Sequence, residues 1–422
     1  MSTQMTLDSV HGIDVFRPSA AAGVAAPAPR VLEPADWVKD VKPSTISEML
    51  KVMARPNLIS FALGLPAPEL FPVEEFTASA ARVLAGDRGA LQYRPPSARL
   101  KKQVVELMAQ RGVRCTEEQV FLTTAAQQGL ALLARLFLNH GAQVITEQLI
   151  YTGFQQVIEP FQPRILAVPT DFDTGIDVDA VERLLEGGAR PGFIYVISDG
   201  HNPVGVSVSP EKRARLVQLA RRFGVPIVED DAYGLLNFGQ AVPPMRAMDD
   251  EWVFYVGSLS KVMAPGFRIG WIVAPERFVP VLGCAKDASD IDTSTFTQAL
   301  VSEYIESGHF SGHLPRVRDA YRERRDVMLA ALARHFPTGA RWTVPTNGAL
   351  IWLDLPRHVD TGKLLKVAVE TEGVAFVPGN AFACDGSRAG SNGMRLNFSH
   401  PSPKDIEEGI GRLARAVRST FG

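Results

Sequence analysis

The chain has 422 residues, of which 46% are hydrophobic, so it can bury a sizeable core over two domains. A net charge of −2 leaves no nucleic-acid footprint, and no apolar run approaches the ~20 residues that would span a bilayer. Three cysteines, odd in number and far apart, suit reduced thiols in the cytoplasm better than a disulfide framework. The N-terminus carries no basic stretch leading into a leucine-rich core, so no signal peptide is expected.

Residues 1–40 are rich in Ala and Pro and read as a mobile arm. From Val120 onward, short apolar runs alternate with helical patterns. Strands are expected at Val120–Leu122, Val144–Thr146, Ile165–Val168, Phe193–Ile197, Pro226–Val228, Val253–Val256 and Ile269–Val273. Helices are expected at Gln127–Leu138, Val178–Leu185 and Pro210–Phe223, the last opening on a proline whose missing N–H costs nothing there. Such alternation implies an α/β fold with a mainly parallel sheet covered on both faces. A long charged helix, Leu314–Phe336, leads toward the C-terminus; its arginines, including Arg316, Arg318, Arg322, Arg324 and Arg325, are expected on a solvated face. The eight histidines form no zinc pattern and no metal site is expected. Gly308 and Gly312 place His309 and His313 in a loop, as solvated side chains.

Three segments carry chemistry. In Gly257-Ser258-Leu259-Ser260-Lys261, followed by Pro265-Gly266-Phe267-Arg268, a lysine stands among hydroxyls and glycines with an arginine seven residues on. That suits an amine forming a Schiff base with a phosphorylated aldehyde, as in PLP enzymes. Val225 to Val228 is a short apolar strand ending in Glu229-Asp230-Asp231, with Tyr233 beyond. A carboxylate at the C-terminal end of a strand lies where such sheets bind ligands, and neighbouring Asp231 should point to the opposite face. The run Phe193 to Ile197 leads into Ser198-Asp199-Gly200-His201-Asn202-Pro203. Each segment alone is as readily structural as functional; their order after successive strands is harder to reach by accident.

With these, the chain resembles the fold-type-I PLP-dependent enzymes of the aspartate aminotransferase superfamily, close to class I/II aminotransferases of the 2-aminoadipate type. Supporting stretches are Ile59-Ser60-Phe61-Ala62, Gly64-Leu65-Pro66, Leu91-Gln92-Tyr93, Thr124 to Gln128, Pro378-Gly379 and Met394-Arg395-Leu396-Asn397. The resemblance implies a seven-stranded, mainly parallel sheet sandwiched by helices, with a smaller α+β domain. It divides the chain into the arm at 1–40, a first segment of the small domain at 41–70, the large cofactor domain at 71–305 and the C-terminal small domain at 306–422.

The resemblance also implies roles. Lys261 would carry the internal aldimine and act as the base, Asp230 would pair with the pyridine nitrogen, and Asn202 and Tyr233 would donate to the phenolic oxygen. Ser258, Ser260, Arg268 and the backbone at Ala125, Ala126 and Gln127 would hold the phosphate, at a helix N-terminus suited to anions. Tyr151 would stack on the ring, and Tyr93 would reach the partner's phosphate in a homodimer with shared active sites. Arg395 would fork onto the substrate's α-carboxylate, with Asn202, Leu63 and Gly64 beside it.

Three features depart from the family's pattern. Leu63 stands where relatives pair glycines, Arg94 to Arg99 is short and lacks glycine, and Ala125 and Ala126 replace hydroxyl or glycine in the phosphate cup. One hydrogen bond missing from the cup would cost on the order of 1 kcal/mol. The expected activity is transfer of an α-amino group from an amino acid to a 2-oxo acid. The alternative is a PLP lyase or synthase on the same scaffold, performing β/γ-elimination, replacement or cyclisation, including on S-adenosylmethionine. A ligand-sensing regulator is a third class, disfavoured because the region before Pro43 is short and poor in basic residues for a DNA-binding module.

Overall fold

In the computed structural model, residues 32–40 and 57–421 are described. Most of the expected arm, and the stretch 41–56 of the segment that follows, lie outside the described residues. Residues 32–40 contain one 3-10 turn, Asp36–Asp40, in which Lys39 pairs with Asp36 at 2.7 Å.

Seven strands fall where the apolar runs stand: β1 (Val120–Thr124), β2 (Gln143–Glu147), β3 (Arg164–Val168), β4 (Pro191–Ile197), β5 (Ile227–Asp231), β6 (Val253–Ser258) and β7 (Ile269–Val273). They form one sheet in the order β1-β7-β6-β5-β4-β2-β3. Only β7 runs against its neighbours, pairing antiparallel with both β1 and β6. Alternate residues of β4 show why the runs are continuously apolar. Phe193, Tyr195 and Ile197 join one hydrophobic layer, with Leu133 and Phe154, while Ile194 and Val196 join the opposite layer, with Val181 and Leu216. Both faces are covered, so neither can be polar.

The helices obey local chemistry. In Pro210–Phe223, Ser209 accepts from Lys212 N–H, proline fills the first turn, and Gly224 ends the helix at φ +66°. The Ala125–Phe137 helix begins directly at the end of β1. No described helix is long and apolar enough to cross a membrane.

A second sheet has four strands in the order β8-β9-β11-β10: β8 (Arg341–Trp342), β9 (Leu350–Asp354), β10 (Val377–Pro378) and β11 (Gly393–Asn397). Ile59–Ser60 pairs with Val374–Ala375, and Phe61 O accepts from Asn397 N–H at 2.8 Å. This brings the segment from Phe61 to Pro66 against the end of β11, where Ser399 Oγ donates to Leu65 O at 2.8 Å.

Two expectations fail along the charged helix. It spans His309–His335, so His309 and His313 are helical, and His313 is buried rather than solvated. Gly308, at φ +77°, marks the boundary; Gly312 is helical, and Phe310, His313, Val317 and Tyr321 repeat at helical spacing on the buried side. The arginines are not one solvated face either. Arg324 pairs with Glu69 at 2.5 Å, Arg318 donates to Leu235 O and Arg325 to Pro345 O, while Arg322 stays on the surface beside Asp319. Carbonyls and a carboxylate of neighbouring segments capture the guanidinium heads, which sequence spacing does not reveal.

The approach of β7 to the helix after β1 depends on Gly270. A Cβ there would lie 2.7 Å from Ala125 C, and 2.8 Å from both Ala126 N and Gly257 O, all of them backbone. Gly270→Ala should lower stability by about 1–3 kcal/mol in urea unfolding. Gly283→Ala, with nothing within 4 Å in the Val279–Asp290 helix, should raise it by about 0.5–1 kcal/mol.

Candidate active site

The C-terminal ends of β4, β5 and β6 converge on a cavity of about 420 Å³. Leu63, Gly64, Ala125, Ala126, Gln127, Tyr151, Asn202, Asp230, Tyr233, Ser258, Ser260, Lys261, Arg268 and Arg395 all line it. Tyr93 does not; it is 80% exposed.

Lys261 lies in the turn after β6, and its Nζ donates to Gly64 O at 2.7 Å. Burial, reinforced by the Arg395 and Arg268 guanidinium groups, pushes its pKa down to about 8. Asp230 is the only carboxylate among the described lining residues. One of its oxygens, Oδ2, accepts from Tyr195 OH at 2.8 Å, while Oδ1 is buried with no partner. Burial pushes this carboxyl up to about 6, against the Tyr195 hydrogen bond, which favours the ionised form. Tyr233 is buried, and desolvation raises its phenol above the ordinary range.

Arg395, on β11, donates from Nη1 to Asn202 Oδ1 at 2.8 Å and from Nη2 to Ala62 O at 2.5 Å. Its guanidinium lies over the Phe382 ring, 4.9 Å from the centroid. Burial lowers its pKa to about 10, opposed by Tyr233 and Tyr151. Because Asn202 Oδ1 faces Arg395, the Asn202 amide N–H groups remain for another acceptor.

At the other end of the cavity is an anion cup. The first amides of the Ala125–Phe137 helix have no helical partners. Ala125 and Arg268 both adopt left-handed backbone, φ +58° and +54°, and Ala125 N–H donates to Arg268 O at 3.0 Å. Holding non-glycine residues there costs of order 1–3 kcal/mol each, a strain typical of ligand clamps. Ser258 Oγ accepts from Ser260 N–H at 3.1 Å, and Ser260 Oγ is buried without a partner. Tyr151 OH donates to Gln127 Oε1 at 3.3 Å, tying the tyrosine to this end.

The arrangement fits pyridoxal phosphate. Unpaired helix amides, Ser260 Oγ and Arg268 could hold a phosphate, the unpartnered Asp230 Oδ1 could accept from a protonated ring nitrogen, and an amine of lowered pKa stands between. Among the described residues, no group of His, Cys, Asp and Glu is placed to hold a metal.

Several supporting residues escaped sequence reasoning. Tyr195, a hydroxyl-bearing residue in an aliphatic strand, was a detectable hint. Asp231 points away from the cavity, as strand alternation requires, into a buried network with Arg111 at 3.1 Å and Tyr255 OH at 3.0 Å. Asp199 joins Arg111 and Arg213 at 3.0 and 2.7 Å. Arg111 and Arg213 come from helical segments distant in sequence, and nothing local marks them. The short loop is closed on itself: Arg94 grips Asp87 through both terminal nitrogens, at 2.7 and 2.8 Å.

The family model for aminotransferase class I and II matches residues 58–413. An aromatic-amino-acid aminotransferase of Thermococcus litoralis is 38% identical over 388 residues, covering 90% of this chain and 92% of its own length. A 2-aminoadipate transaminase of Thermus thermophilus is 41% identical over 387 residues, covering 90% and 94%. Among solved structures, an α-aminoadipate aminotransferase of Thermus thermophilus complexed with N-(5'-phosphopyridoxyl)-L-leucine superposes with TM-score 0.84 at 39% identity, covering 91% of this chain and 96% of that one.

The lowered pKa of Lys261 sets a pH profile. The amine is nucleophilic only when neutral, so borohydride-trapped addition of pyridoxal phosphate to cofactor-free protein should rise through about pH 8 and then level off. The label should map to Lys261. A profile still climbing toward 10.5, the ordinary lysine value, would contradict the desolvated site.

Proposed function

The chain belongs to the class I and II aminotransferases, and from that premise we propose that its amino donor is an amino acid with a large uncharged side chain. Bound pyridoxal phosphate supplies the electron sink that lets the Cα–H bond break and carries the amino group between the two substrates. The chain's own residues would do the rest.

Lys261 would anchor the cofactor and then move the proton at Cα; its depressed pKa leaves a larger neutral fraction of amine near physiological pH than an ordinary lysine has. Asp230 Oδ1 would hold the proton on the ring nitrogen. Asn202 Nδ2 and Tyr233 OH would donate to the phenolic oxygen, and Tyr151 would cover a ring face. Ser258, Ser260, Arg268 and the amides of Ala126 and Gln127 would bind the phosphate, with the left-handed Ala125 aiming those amides. Arg395 would take the substrate carboxylate. Each of its terminal nitrogens keeps a second N–H, enough for a forked contact that fixes the Cα–H bond relative to the cofactor ring.

What carries the substrate reading is the remaining wall. Leu63, Leu65, Val377 and Phe382 line much of it, with Thr152 and Gln156 as uncharged polar neighbours, and the described cations of the cavity are Lys261, Arg268 and Arg395, all given other work. A distal carboxylate pressed on that wall would lose its water without gaining a cationic partner, at a cost of several kcal/mol. The aromatic-amino-acid relative agrees with this choice, while the 2-aminoadipate relative is named for a donor with a distal carboxylate.

The division into a cofactor domain at 71–305 and a small domain formed by 41–70 with 306–422 suits this placement, because Arg395 comes from the second sheet and Lys261 from the first. A homodimer suits it too: Leu91 and Tyr93, 71% and 80% exposed, stand on the loop clamped by Asp87 and Arg94, where a second subunit's phosphate could be met. Three unpaired cysteines agree with a reducing cytoplasm.

Supplied with phenylalanine alone, the enzyme should release about one equivalent of 2-oxo acid per site and stop until an oxo acid is added. Lys261→Ala should release none; with a donor that carries a β leaving group, such as serine, sustained oxo-acid release without an acceptor would point instead to elimination. Leu63→Gly should raise kcat/KM for 2-aminoadipate relative to phenylalanine by about tenfold, since opening the wall admits water and a longer chain. An unchanged ratio in steady-state kinetics would remove Leu63 from substrate choice.

A further inference from the structure

A buried imidazole–carboxylate pair lies one residue from Asn202 and takes no part in the roles above. His201 Nε2 is 3.0 Å from Glu147 Oε2, with both side chains 2% exposed. Glu147 is the last residue of β2, and its other oxygen accepts from Thr170 Oγ1 at 2.8 Å. On the far side of the ring, Nδ1 receives the Val204 N–H at 3.4 Å. The His201 backbone closes the same turn, giving its N–H to Val206 O at 2.8 Å and receiving Gly205 N–H at 2.5 Å. The ring therefore ties the turn after β4 to the end of β2, which lies next to β4 in the sheet.

Taking a carboxylate out of water is costly, and buried pairs of this kind seldom add net stability; fixed geometry is what they can give. Here the fixed object is Asn202, whose Oδ1 is already held by Arg395 Nη1 at 2.8 Å. Side-chain and backbone anchors together leave the amide little room to turn.

We propose that His201 is a positioning residue: tied by Glu147 to the end of β2, it holds the Asn202 amide against Arg395 and toward the cofactor's phenolic oxygen. The inference rests on the cofactor placement proposed above. Its consequence is electronic as well as geometric. A hydrogen bond given to the phenolic oxygen lowers that oxygen's hold on the neighbouring proton of the lysine–cofactor bond. If Asn202 swings away, the oxygen holds that proton more tightly and the bond deprotonates at higher pH. Arg395 loses a partner at the same time, so amino-acid binding weakens.

The test is a spectrophotometric pH titration of the pyridoxal-phosphate-loaded enzyme, reading the midpoint of its visible band, together with KM for the amino donor. Asn202→Ala should raise the midpoint by about one pH unit, roughly one hydrogen bond's worth. His201→Ala should move it the same way by about half a unit or more, with KM raised several-fold, and Glu147→Ala should do likewise. His201→Gln, which can still donate to Glu147, should restore both values toward wild type. A shift in Asn202→Ala with none in His201→Ala, or a lower melting temperature with an unmoved midpoint, would overturn the inference while sparing the cofactor placement. No shift even in Asn202→Ala would overturn both. Should His201→Ala fail to fold, Glu147→Ala decides by the same readings.

Discussion

The organising constraint of this molecule is an excess of positive charge along one cavity. Lys261, Arg268 and Arg395 line one cavity with Asp230 as the only described carboxylate beside them. Lost water depresses both Lys261 and Arg395 below their ordinary values, and at Lys261 the two guanidinium groups add to it. A cavity charged in this way is poised for two anions, and transamination brings two: a cofactor phosphate and a substrate carboxylate. The surroundings follow from the need to hold those cations apart. Arg268 is fixed by its left-handed backbone next to Ala125, Arg395 by Asn202 and the Ala62 carbonyl, and Lys261 by the Gly64 carbonyl.

Much of this was legible in the sequence, because many of the residues that line the cavity sit at the ends of strands that announce themselves. Continuous apolar runs such as Phe193 to Ile197 can be satisfied only by a sheet covered on both sides. Whatever follows their C-terminal ends then gathers at one edge, and so Asn202, Asp230, Ser258 and Lys261 meet. The proline that opens the Pro210–Phe223 helix made its start readable.

What escaped depended on contacts between distant segments. Tyr195 matters only because β4 and β5 are neighbours, which places its hydroxyl 2.8 Å from Asp230. His201 and Glu147 are fifty-odd residues apart in the chain and meet only once β2 and β4 pair. His313 departs from its expected loop for a different reason. Two glycines near it suggested a loop, but the buried spacing of Phe310, Val317 and Tyr321 overrode their weak local preference. The arginines of the same helix looked solvated because charge patterning says nothing about carbonyls that other segments bring within reach.

The Gly64 carbonyl has a consequence beyond the lysine it receives. It belongs to the peptide segment that carries Leu63, whose side chain walls the substrate space, and Ser399 and Asn397 strap the same segment to the second sheet. Under the proposed roles, selection of the incoming side chain and custody of the migrating proton would be mechanically joined in one short stretch of backbone. A substitution at position 63 would then be felt at the amine.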